Sequence, residues 1–182
     1  MLPLPLGQNI TTMISATEPD WEREKPVRGR FEPGKKLLAA IRHYQLLITH
    51  SSFISRTIRL FVVLQYRFWS AICGADIPLN SKINGGLLIP HPNGIVIHPD
   101  AQIGPNCLTF QQVTIGAGSK PGLPIIEGHV DIGAGAKILG GIHIGANARI
   151  GANAVVINDI PSNATAVGIP AVFRHENDEK QK

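Results

Sequence analysis

The chain has 182 residues, of which 43% are apolar, 5% aromatic and 16% charged, with a formal net charge of +4. That length suits one domain, with at most a helical appendage. The basic excess is mild and not interleaved with stacking aromatics, which argues against nucleic-acid binding and leaves open attraction to anionic cofactors or membrane surfaces.

Residues 1–33 are rich in Pro, Thr and charge without periodicity, and read as a flexible or loosely docked arm. Its start has no basic n-region and is interrupted by Pro3 and Pro5, so it does not read as a signal peptide. No run of 18 uncharged apolar residues follows, so no spanning helix and a cytoplasmic location are expected. Residues 34–73 read as a helical cap of two helices, the second starting after a cap at His50-Ser51. This second helix is apolar on most faces, with Phe53, Ile58, Phe61 and Phe68, yet carries Arg56, Arg59 and Arg67. It fits a cap packed on the fold or on a partner subunit, or else a basic amphipathic helix making peripheral membrane contact.

From residue 74 to 174 the chain counts in sixes. Ile126, Ile132, Ile138, Ile144, Ile150 and Val156 recur at that spacing, and Gly133, Gly145 and Gly151 follow three of them. A helix would repeat every three or four residues and a half-buried strand every two. A period of six with β-branched leaders predicts a parallel β-helix of hexapeptide repeats, a mainly β fold in which three repeats close one coil. The leaders point inward, and the small residues let the backbone turn each corner. Cys107 falls inside the repeat as a small apolar residue; with only Cys73 beside it, no disulfide framework or structural zinc site is expected. The register begins at Ile77, Ile83 and Ile89, slips by two at Asn93-Gly94, and resumes at Ile97. Eleven residues instead of six separate Ile115 from Ile126, so a loop including Lys120 must protrude there. The stretch from Val167 to Phe173 is expected to close the last coil, and residues 175–182 form a polar tail.

A regular prism needs neither irregularity, so these are where function is expected. His91 sits at the first of them, in Pro90-His91-Pro92. Asp76 lies fifteen residues earlier, near one coil away, where a carboxylate could fix the imidazole tautomer and raise its basicity. A general base that takes a proton from an alcohol needs that arrangement, although a lone His at a turn is more often structural. His98, His129 and His143 have no acid mirrored in sequence and read as surface residues. No histidine pair has the short spacing a metal site needs, so no metal is expected.

The segment from Ala75 to Ile97, together with Val113-Thr-Ile-Gly116, Ile132-Gly-Ala-Gly-Ala-Lys-Ile-Leu-Gly140 and Val167-Gly-Ile-Pro-Ala171, resembles the serine acetyltransferase family of hexapeptide-repeat acyltransferases. The resemblance covers over half the chain. It implies a left-handed β-helix, a homotrimer with sites between subunits, and direct attack of an acceptor hydroxyl on acetyl-CoA. It makes His91 the general base and Asp76 its partner. It also implies cofactor contacts along the backbone at Ala117, Ala134 and Ala152, with Lys137, Arg149 and Arg174 near the phosphates. Departures bear on the acceptor. The protruding loop, Ser119-Lys-Pro-Gly-Leu-Pro124, lacks the family's Arg-His pair, and Pro90 replaces an Asp found in many members. The N-terminal helical domain is reduced to two helices, and Gln181-Lys182 replaces the isoleucine that docks a sulfhydrylase. These features resemble the short enzymes of exopolysaccharide and capsule clusters. A sugar hydroxyl is therefore the expected acceptor, with L-serine as the alternative.

Overall fold

A computed structural model describes residues 14–50 and 52–175 of the chain. Ser51, half of the expected cap, lies outside them, as do residues 1–13 and all of the polar tail after His175. A short 3-10 helix (Trp21–Glu24) comes first, then two α-helices: α1 (Pro33–Ile48) and α2 (Phe53–Cys73). Short strands follow: β1 (Lys82–Ile83), β2 (Val96–Ile97), β3 (Gln102–Ile103), β4 (Leu108–Thr109), β5 (Thr114–Gly116), β6 (Ile125–Ile126), β7 (Asp131–Ile132) and β8 (Lys137–Leu139). Five more complete the chain: β9 (His143–Ile144), β10 (Arg149–Ile150), β11 (Val155–Val156), β12 (Ala164–Gly168) and β13 (Ala171–His175).

The strands stack into three sheets, ordered β1-β3-β6-β9, β2-β5-β8-β11 and β4-β7-β10-β12-β13. They form a left-handed parallel β-helix, an exception to the usual right-handed crossover. Most strands show one outward residue followed by a buried leader. Each leader lies on its equivalent in the next coil, as Ile132 does on Ile150 and Ile138 on Val156. Ile115, Ile132, Ile138 and Ile144 are fully buried, each contributing about 1.5–3 kcal/mol by its removal from water. The pairing also records both irregularities. Ile83 pairs with Ile103, twenty residues on, across the slip at Asn93-Gly94. Ile103 pairs with Ile126, twenty-three residues on, across the protruding loop.

The corners are turned differently from the sequence expectation. Gly133 does not supply a left-handed φ; a Cβ there would lie 2.6 Å from the Ala152 amide nitrogen. That glycine lets adjacent coils approach closely. Left-handed corners are often taken by asparagine, with Asn106, Asn147, Asn153 and Asn163 at φ 56–61°, a region that Asn tolerates better than most residues. The C-terminal end also differs. β12 continues the coil beside β10, but β13 folds back antiparallel on β12, so Val167 to Phe173 forms a hairpin rather than a further coil.

Where the sequence reads as a flexible or loosely docked arm, residues 14–32 are held against the coils by buried polar contacts. Asn106 accepts a hydrogen bond from the Asp20 amide (2.8 Å) and donates to the carbonyls of Ser15 and Glu18 (2.7 Å each). Glu24 is buried at 6% exposure and meets Arg42 of α1 through two bonds, 2.9 and 3.0 Å long. It also accepts the Leu87 amide at 3.0 Å. The helices pack at the end of the prism that holds the first irregularity. A Cβ on Gly34 would collide with the Ile89 carbonyl, so α1 starts in direct contact with the coil. Gly74 caps α2 in the left-handed conformation, and its carbonyl accepts the Gly94 amide at 2.8 Å. Among the described residues no helix is long and apolar enough to cross a membrane.

Candidate active site

His91 projects from the irregular corner, exposed between two prolines. Pro92 disfavours the helical region at His91, and each proline fixes its own φ, so the backbone under the imidazole is stiff. The ring stacks on Phe110 with centroids 6.4 Å apart and planes at 25°. Phe110 and Gln111 were not singled out by sequence reasoning, which applied the eighteen-residue coil and not the longer one that the slip creates. Gln111 Oε1 is buried without a hydrogen-bond partner.

Asp76 enters the fold just after the α2 cap. It bridges Val96, receives its backbone bonds from the next coil (Asp76 N to Ile95 O, 2.8 Å; Ile97 N to Asp76 O, 2.9 Å), and its side chain is exposed. No hydrogen bond joins its carboxylate to the His91 ring among the described residues. Its charge is felt by Tyr66 of α2, whose phenol is raised above the ordinary range, first by burial and then by Asp76.

The other nominated residues divide by position. Ala134 and Ala152 occupy the same corner on successive coils, joined by the Asn153 amide donating to the Ala134 carbonyl at 2.8 Å. This is the corner row that His91 begins. Lys137 lies outward on the sheet to one side, where its ammonium donates to Gln112 O (2.6 Å) and Thr114 Oγ1 (3.1 Å). Arg149 and Arg174 lie on the sheet to the other side, both aligned with Thr165. Ala117 is apart, just past β5 at the opposite edge of the Lys137 face. Thus one chain presents a corner of small residues with cations on both flanks and a histidine at its end. Ala117 stands across a whole face from it.

The remaining histidines have local partners. His98 Nδ1 accepts the Asp100 amide (3.1 Å), and His129 Nδ1 lies 2.9 Å from Asn147 Oδ1. His143 does have an acid, contrary to the sequence reading: Glu127 lies 3.1 Å from its Nε2. No group of three or more His, Cys, Asp or Glu is placed to hold a metal among the described residues. Lys120 of the protruding loop donates to Asn158 Oδ1 at 2.9 Å. Cys107 is buried, which pushes its thiol up to about 11. A groove of about 680 Å³ lies away from His91, between the arm and the helices, and is lined by Trp21, Lys36, Arg42, His43 and Trp69 among others.

The fold and corner define the class: a left-handed hexapeptide-repeat β-helix similar to the serine acetyltransferases. No family model matches the chain. It is 44% identical over 102 residues to a serine acetyltransferase of Synechococcus elongatus, covering 54% of this chain and 42% of that protein. Among solved structures it is similar to Neisseria gonorrhoeae serine acetyltransferase in complex with serine, with TM-score 0.64 and 33% identity over 79% of this chain and 57% of that one. A serine acetyltransferase solved in complex with CoA gives TM-score 0.64 and 32% identity over 79% of this chain and 57% of that one. The chain spans about half the length of the curated relatives it matches.

Proposed function

We propose that the chain is an O-acetyltransferase that moves the acetyl group of acetyl-CoA directly to an alcohol. The observation that carries this reading is the single corner row of His91, Ala134 and Ala152, flanked by Lys137 on one face and Arg149 and Arg174 on the other. In this mechanism the imidazole of His91 takes the hydroxyl proton as the oxygen attacks the thioester carbonyl. The new O–C bond forms, the C–S bond breaks, and the proton passes to the departing CoA sulfur. A positioned base of this kind contributes roughly 10²–10⁴ in rate. Asp76, one coil earlier, supports the positive charge that develops on the ring.

Small side chains at Ala134 and Ala152 allow the pantetheine arm to approach the backbone, and the flanking cations suit its phosphates. Ala117, at the opposite edge, contributes to the same kind of groove if that groove is built between copies, each supplying one edge. A homotrimer meets that requirement and would give the exposed His91 a second wall.

L-serine is the leading acceptor, because the similar proteins are named serine acetyltransferases and one of them is solved with serine. This reverses the sequence-based preference for a glycan. A sugar hydroxyl stays as the second reading on one observation: the protruding loop offers Lys120 and no Arg-His pair to hold an amino-acid carboxylate. The test is CoA release from acetyl-CoA with L-serine in one series and nucleotide sugars or short glycans in another. Turnover with serine supports the first reading, and turnover confined to a glycan replaces it with the second. Failure to bind acetyl-CoA would overturn both.

A further inference from the structure

Helix α2 leaves one broad face without a partner among the described residues. Val62, Tyr66, Trp69 and Cys73 turn toward the core. The opposite side presents Phe53 (82% exposed), Leu60, Phe61 (68%), Leu64 and Phe68 (57%). Helical geometry places these within one arc, at steps of three, four and seven residues. Along one flank, between that arc and the core-facing side, run Arg56, Arg59 and Arg67, with Arg59 half-buried and none of the three in an ion pair among the described residues.

Charge identifies what this face fits. Neither α1 nor α2 contains Asp or Glu, while together they carry six basic residues; Lys35 and Arg42 are paired with Glu32 and Glu24 of the arm, which leaves Lys36, Arg56, Arg59 and Arg67 without a carboxylate partner among the described residues. The whole chain nets only +4, so the rest of it taken together is net acidic, and the positive charge is concentrated on this helical hairpin. A second copy docked through the same face would bring like charges together, with no hairpin carboxylate to meet them. An anionic lipid surface offers both an apolar layer for the phenylalanines and headgroups for the arginines. α2 is neither long nor apolar enough to span the bilayer. We propose that α2 seats the protein on anionic membranes, lying in the interface with its Phe53–Phe68 arc inserted and Arg56, Arg59 and Arg67 among the headgroups. This goes beyond the acetyl-transfer reading and does not depend on it.

The test is co-sedimentation of the full chain with vesicles of phosphatidylcholine alone or mixed with phosphatidylglycerol, combined with the mass of the protein in solution. The expected result is partition onto the anionic vesicles at least about tenfold stronger than onto neutral ones, and weakened by salt. The double variant Phe61→Glu, Phe68→Glu should lose about tenfold or more of that partition while keeping its helical circular dichroism, solution mass and acetyl-transfer rate. Equal partition onto both vesicle types, or onto neither, would overturn the proposal. A fall in solution mass in the double variant would also overturn it, by showing that another copy covers the face.

Discussion

Asp76 is pulled in two directions by its place in the chain. Its backbone is fixed by the second coil through Ile95 and Ile97, while its charge raises the phenol of Tyr66 on α2. The same carboxylate is the nominated partner of His91, whose ring stacks on Phe110. Asp76→Asn separates the two roles. Removing the charge should lower the pH at which Tyr66 ionises, because a nearby anion disfavours the phenolate; absorbance titration of the two tyrosines would show it. If Asp76 also supports His91, the acetyl-transfer rate should fall by at least about tenfold. A shifted Tyr66 with an unchanged rate would assign Asp76 to the helix alone. His91 and Asp76 could be nominated from sequence because the hexapeptide register converts separation along the chain into position on a coil. Phe110 could not, because the slip at Asn93-Gly94 lengthens that coil and moves its stacking partners.

The strands and their leaders were legible for the same reason: a buried position every sixth residue fits neither a helix nor a two-faced strand. The arm was not. Its anchors are single polar residues, Glu24 and Asn106, which belong to no repeat and act through partners far along the chain. The stretch from Val167 to Phe173 reads as closing the last coil, and only the backbone pairing shows that the chain reverses there. Glu24 is the element-scale test. Its carboxylate is buried against Arg42, whose guanidinium also donates to the carbonyls of Ile83 and Asn84. Glu24→Ala leaves that guanidinium with its charge unpaired and the Leu87 amide without its acceptor. The expected loss is about 3–5 kcal/mol of folding stability, read as a lower urea midpoint. Loss of under about 1 kcal/mol would mean that the arm is not part of the cooperative fold.

At the scale of the whole molecule, the nominated residues lie at the margins of a regular scaffold. The helices, the first coils and the register slip meet around Gly74, Ile89 and Gly94, and that junction holds His91 outward. Further along the same corner the side chains shrink to Ala134 and Ala152, and cations flank them. The most direct measurement of this account is the rate of CoA release by His91→Ala beside the unaltered protein, with the acceptor that supports turnover, and acetyl-CoA binding measured in parallel. The account predicts a rate lower by roughly 10²–10⁴ with acetyl-CoA binding retained. A variant that turns over at close to the original rate would contradict it.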